Sequence, residues 1–221
     1  PALHSPLAQR SLMLDVTRAG DALVAVGERG FILRSEDKGQ SWQQMEAPVS
    51  VTLTRVTFAT AEQGWAVGHA GVVLHSRDGG RNWTLQLDGR KAAQLVQEAA
   101  QKRLQSEPGT VSEQRLAEAR NLISDGPDKP FLAVHFFDEK RGIVVGAYGL
   151  AFATEDGGAT WQPINERLEN PDAMHLYDIQ ASGDKLFIAG EQGLLLRSDD
   201  GGASFQALQS PASGTLFGLV T

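Results

Sequence analysis

Four aspartates recur in one local setting, and they are the first residues to test for chemistry. Asp37, Asp78, Asp156 and Asp200 each follow a Ser or Thr by two positions, precede a Gly by two and precede an aromatic residue by five (Trp42, Trp83, Trp161 and Phe205). Carboxylates in a glycine-rich string could ligate calcium, but an EF-hand loop needs further oxygen ligands and a Glu at its twelfth position. A turn explains the fourfold recurrence better. A short Asp side chain accepts hydrogen bonds from backbone N–H groups a few residues on, glycine admits positive φ, and the aromatic ring anchors the turn. These eight residues are therefore read as a structural set. The five histidines (His4, His69, His75, His135 and His175) show no paired ligand spacing, so no metal site is expected. Absence of cysteine excludes disulfides, thiolate ligands and Cys nucleophiles. No phosphate-cradling Gly-x-x-x-x-Gly-Lys loop occurs. With 20 Lys and Arg against 27 Asp and Glu, the net charge of −7 disfavours a nucleic-acid partner. No catalytic residue and no cofactor are assigned.

The elements that carry the aspartates repeat. The chain has 221 residues and 24 glycines, and four segments superpose: 12–42, 53–83, 131–161 and 176–205. Each holds a Gly-x-x-Gly (Gly27 and Gly30, Gly68 and Gly71, Gly146 and Gly149, Gly190 and Gly193) ahead of its Asp turn. Successive aspartates lie 41, 78 and 44 residues apart, so the middle interval is one period plus an insertion. Within a unit, short apolar runs alternate with turn signals, as four antiparallel strands require. The expected fold is all-β: a β-propeller of four-stranded blades, one domain over 1–221, truncated from a longer propeller. Leu216-x-x-Leu219 repeats the opening of a unit and predicts the first strand of a fifth blade.

Residues 88–130 break the repeat. Apolar residues at helical spacing predict a helix over Arg90–Gln105, and Pro108–Gly109 stop it. A capping box at Thr110 and Glu113 opens a second helix ending near Asp125. Strand alternation places this hairpin, inserted between blades two and three, on the face of the Gly-x-x-Gly turns, opposite the Asp turns. There it is expected to help recognise a macromolecular partner.

The strings SEDKGQSW, SRDGGRNW, TEDGGATW and SDDGGASF resemble the Asp boxes, or BNR repeats, of sialidase-like propellers. The wider unit, Leu-x-x-Val-x-Phe then Gly-Trp-Ala-Val-Gly-x-x-Gly then the Asp box at 53–83, resembles the photosystem II stability and assembly factor family. That resemblance implies a non-catalytic propeller, commonly of seven blades, outside the cytoplasmic face of a membrane, where it helps membrane proteins assemble. It also implies an arginine patch for partner binding. The matching third-strand positions are Arg34, His75, Ala153 and Arg197, and Arg55 on a first strand could add charge, with Asp15 and Asp178 at its equivalents. Arg34, Arg55, His75 and Arg197 are therefore the partner-binding candidates. The competing reading pairs Arg34 and Arg197 with neighbouring acidic residues. Periplasmic or otherwise exported placement and a membrane-associated protein partner follow from the resemblance, and self-association is one way to complete the ring. No apolar run approaches the ~20 residues of a membrane span. The alternative function is a sialidase-like glycoside hydrolase or glycan-binding propeller, whose Tyr nucleophile would have to be Tyr148 or Tyr177.

Overall fold

The computed structural model describes residues 1–220. Four antiparallel sheets follow one another along the chain, each with its strands side by side in sequence order. The first blade comprises β1 (Met13–Ala19), β2 (Ala22–Gly27), β3 (Ile32–Ser35) and β4 (Gln43–Met45). The second comprises β5 (Leu53–Phe58), β6 (Gly64–Gly68), β7 (Val73–Ser76) and β8 (Thr84–Leu87). The third holds β9 (Phe131–Phe136), β10 (Gly142–Gly146), β11 (Ala151–Thr154) and β12 (Gln162–Pro163). The fourth holds β13 (Leu176–Ser182), β14 (Lys185–Gly190), β15 (Leu195–Ser198) and β16 (Gln206–Ala207). First strands pack on first strands, β1 on β5, β5 on β9 and β9 on β13, so they line an axis while the fourth strands lie outermost. Four blades of a propeller result.

Blade stacking explains the strand composition. β6 and β10 are buried along their whole length because a neighbouring blade covers each face, which is why their sequences are unbroken apolar runs. Three apolar seams form. Val24, Ile32, Leu53, Val56 and Leu74 join blades one and two. Trp65, Phe131, Val144 and Phe152 join two and three, and Ile143, Leu176, Ile188 and Leu196 join three and four. Trp83, Trp161 and Phe205 are buried in these seams. Trp42 is only half-buried, because the outer face of blade one meets a strap rather than a blade: Ala8 packs with Ala25, Phe31 and Leu33, and Gln9 Nε2 donates to Trp42 O.

Each Gly-x-x-Gly closes a tight turn with consecutive positive φ values, the geometry suited to a two-residue hairpin. Arg29, Ala70, Tyr148 and Gln192 all occupy the left-handed region, with φ between 52° and 58°. The second glycine faces a different constraint. The chain leaving each blade crosses over it, so a Cβ at Gly30 would lie 2.3 Å from Val49 O, and one at Gly193 would lie 2.0 Å from Ala212 O.

The hairpin is formed by α1 (Gly89–Ser106) and α2 (Thr110–Ser124). Asp88 caps α1 by accepting from Lys91 N at 2.8 Å. The expected capping box is absent: Gly109 is the N-cap of α2 and Thr110 is already helical. The turn is held instead by Ser112 Oγ, which donates to Glu107 O at 2.7 Å. α1 packs on the turn at His69–Gly71 and on β12, which places the hairpin on the Gly-x-x-Gly face. Among the described residues, no helix is long and apolar enough to cross a membrane.

The segment expected to open a fifth blade lies in position without a ladder partner, and so without regular strand structure. Leu219 N donates to Asp178 Oδ2 at 2.9 Å, as Val56 N donates to Asp15 Oδ2 at 2.8 Å, each across 41 residues. Leu216 N donates to Gly190 O.

Candidate binding surfaces

The Asp turns are closed structures. Ser35 Oγ donates to Asp37 Oδ1 at 2.8 Å and accepts from Gly39 N at 2.8 Å. Asp37 also accepts from Ser41 N and Ser41 Oγ. The same pattern recurs with Ser76, Asp78 and Asn82, with Thr154, Asp156 and Thr160, and with Ser198, Asp200 and Ser204. Bonds from Ser41 and Ser204, foremost their hydroxyls, lower the Asp37 and Asp200 pKa values to about 2. At Asp78 and Asp156 burial pulls upward, yet the bonds from Asn82 and Thr160 still leave both carboxyls below the usual range. Carboxylates with their oxygens occupied in this way are poor general bases.

Three of the four partner-binding candidates lie toward the Asp-turn end of the blades, and they do not form one patch. Arg34 is 8% exposed. Its Nε donates at 2.8 Å to Gly79 O in the next blade's Asp turn, and its guanidinium pairs with Glu36. His75 is buried in a stack on Trp65 at 4.7 Å and lies 3.0 Å from Gln63 Oε1. Arg197 pairs with Asp199 at 2.8 Å. Both arginines thus have the acidic neighbours that the competing reading assigned them. Arg81 joins Arg34 on Glu36, beside an open polar groove that Arg77 also lines.

Arg55 points elsewhere. On the axis it reaches from blade two to the buried Asp178 of blade four, 3.2 Å away. Asp15 shares this centre, where burial raises its pKa against the lowering bond from Val56 N and the Arg55 charge. Asp15 and Asp178 offset the Arg55 charge, as their equivalent positions in the sequence suggested. They also serve as latches that receive the next first strand, and their common separation of 41 residues from Val56 and Leu219 was the signal available for that second role.

The Gly-x-x-Gly face carries an aromatic row that no motif announced. Tyr148, 54% exposed, lies 4.8 Å from His175 between ring centroids; His175 is 6.3 Å from Tyr177, and Tyr177 is 5.0 Å from Phe217, which is 71% exposed. Lys129 Nζ sits 5.3 Å from the Tyr148 ring centre, within cation–π range. Burial, then the Glu191 charge, raises the Tyr177 pKa, which makes its phenol a weaker nucleophile. Among the described residues, no three His, Asp or Glu side chains gather as a metal cluster.

The sequence profile of the photosynthesis system II assembly factor YCF48 family matches residues 4–103 and 116–213. The chain belongs to the YCF48 family. No curated protein matches it in sequence. Among solved structures, YCF48 bound to a D1 peptide is 17% identical with a TM-score of 0.58, covering 94% of this chain and 59% of that one. YCF48 from Cyanidioschyzon merolae is 18% identical with a TM-score of 0.58, covering 89% and 56%. An ancestral GH74 enzyme is 12% identical with a TM-score of 0.61, covering 90% and 24%. At these identities the likenesses concern the fold alone, and the chain spans less than three fifths of the YCF48 structures it matches. The internal stretch of this chain that the profile leaves unmatched, 104–115, falls on the end of α1 and the start of α2.

Proposed function

We propose that this chain is a non-catalytic binding module that receives a segment of a protein partner on its Gly-x-x-Gly face. Its job is to assist a membrane or envelope protein outside the cytoplasm. The observation that carries the reading is the aromatic row from Tyr148 to Phe217. Large amphipathic rings left in water are the usual anchors of protein interfaces. Membership of the YCF48 family supports a partner of protein rather than nucleic acid, as does the net charge of −7. Self-association belongs to the same proposal, since Leu12, Leu14 and Val16 leave the outward side of β1 and its approach apolar and exposed.

The hydrolase reading needs an arginine cluster beside a tyrosine. Here the groove arginines Arg34, Arg77 and Arg81 lie among the Asp turns, whereas Tyr148 and Tyr177 lie at the opposite end of the blades. A photo-crosslinking residue placed at Tyr148 or Phe217 in the source cells should yield adducts with a membrane protein, while the same probe at Lys38 among the Asp turns should not. Adducts from Lys38 alone, or none from any position, would remove the proposal.

A further inference from the structure

The aromatic row is not a flat platform. Successive ring planes are tilted by 59° between Tyr148 and His175, 57° between His175 and Tyr177, and 63° between Tyr177 and Phe217. A sugar chain stacks on rings that share a plane. A cation needs only to meet the electron-rich face of each ring, so tilted rings suit it, as in aromatic cages for ammonium groups. One cation is already in place at one end of the row: Lys129 Nζ, paired with Asp128 at 2.7 Å, lies 5.3 Å from the Tyr148 ring centre. At the other end, half-buried Tyr177 and exposed Phe217 have no lysine or arginine over them among the described residues.

Carboxylates accompany these rings. In the loops at this end of blade four (164–175, 190–194 and 208–215), four acidic residues, Glu166, Glu169, Asp172 and Glu191, meet one basic residue, Arg167. Glu166 pairs with Arg103, and Glu169 accepts from Ala207 N. Arg167 lies toward the outer strand, where its carbonyl oxygen accepts from Phe205 N. Among the described residues, neither Asp172 nor Glu191 pairs with a lysine or arginine. Glu191 stands beside the row: its Oε2 accepts from His175 N at 2.8 Å, and its Oε1 is 3.8 Å from His175 Nδ1. Its carboxylate is about one-third exposed and so open to a ligand, and its charge is felt at Tyr177, whose pKa it raises after burial.

We propose that the Tyr177–Phe217 end of the row, together with Glu191, recognises a lysine or arginine side chain of the partner segment, an inference that rests on the binding-module reading above. Charge complementarity selects this occupant. A wholly apolar segment would cover the rings but draw the Glu191 carboxylate out of water with no cation to match it. An acidic segment would meet Glu191 and Asp172 with like charge. A basic side chain satisfies both parts of the site, laying its apolar stem on the rings and bringing its charged head to their faces and to the carboxylate. Lys129 on Tyr148, held by Asp128, is the same arrangement made within the chain.

Random twelve-residue peptides displayed on phage test this when panned on the purified chain, with enriched sequences resynthesised and their Kd measured by fluorescence polarisation. Enriched peptides are expected to share a lysine or arginine beside apolar residues, and replacing that basic residue by norleucine should weaken binding about tenfold. Glu191→Gln, whose amide oxygen can still accept from His175 N, should weaken the basic peptide by a similar factor and leave the norleucine peptide unaffected. Phe217→Ala should weaken the basic peptide several-fold. Asp184→Asn, which removes the same charge at the Asp-turn end of blade four, should change nothing. Circular dichroism and Tm verify that each variant folds. Equal binding of the norleucine and basic peptides, or equal binding by Glu191→Gln and the parent, overturns the cation site while leaving the binding module standing. An equal loss in Asp184→Asn, the mark of unspecific attraction to an acidic chain, overturns it too. Failure to enrich any peptide also overturns the site, and the cross-linking experiment then judges the wider reading independently. A parent dimer that Glu191→Gln converts to monomer would mean that a second copy supplies the cation, which likewise overturns the proposal.

Discussion

Burial against Trp65, and secondly the Arg77 charge, lower the His75 pKa to about 4 from the ordinary 6.5. The unfolded chain takes up this proton first as pH falls, so the folded state loses stability through the window from about 6.5 down to about 4 and no further from this group. Urea midpoints measured across that window should fall with pH, and His75→Phe should flatten much of the slope. Some slope should remain, because burial also lowers the His135 pKa. The Asp turns behave differently. Asp37 and Asp200 have depressed pKa values of about 2, so their contribution is complete above about 3.8 and disappears only as pH falls toward 2. Removing a turn carboxylate at neutral pH is a stronger perturbation. Asp78→Ala strips acceptors from Arg81 N, Asn82 N and Asn82 Nδ2 and should cost about 1–3 kcal/mol in equilibrium unfolding.

The turns between second and third strands set two opposite requirements on adjacent residues. Gly30→Ala drives a Cβ against Val49 O from a positive φ and should destabilise by roughly 2–4 kcal/mol, read as a fall in Tm. Gln192→Gly relieves a left-handed non-glycine residue and should stabilise by about 1 kcal/mol. Much at this scale was readable in advance because it is local. The Asp turn is written within eight residues, each strand within six or so, and both helices lie within two residues of their expected limits. The failed capping box is instructive: Thr110 and Glu113 have the right types and spacing, but Ser112 bonds back to Glu107 and moves the helix start to Gly109. Contacts that join blades were not legible. Nothing near Arg34 in the sequence points to Gly79, and nothing near Tyr148 points to His175, because blade stacking brings those pairs together. Arg34 became a partner-binding candidate through the family resemblance, and the seam contact its side chain makes with Gly79 could not be read beside it.

Across the whole molecule, Arg55 and Asp178 tie blade two to blade four over the axis. Arg55→Met leaves a buried carboxylate without its cation; because Arg55 is about one-third exposed, the cost should be near 2 kcal/mol rather than the ~3–5 of a fully buried pair. Adding Asp178→Asn should recover part of that loss in a double-mutant cycle. Exposed apolar residues on β1 carry the self-association expectation: Val16→Lys should lower the sedimentation-derived mass if copies meet there, and an unchanged mass would exclude that surface. The place where the hairpin joins the ring has a further consequence. Gly89 and Lys129 both lie against Gly71, and Pro127 O approaches Gly89, so the chain departs from and returns to nearly the same point. Beyond that point the blades meet only one side of the hairpin, where Ala92, Leu95, Val96 and Leu122 pack on the seam between blades two and three and α1 lies on β12. That makes the site a graft point: another folded module with closely spaced termini could replace the two helices and give the same scaffold a new specificity, provided it restores the apolar cover that Ala92, Leu95, Val96 and Leu122 give the seam.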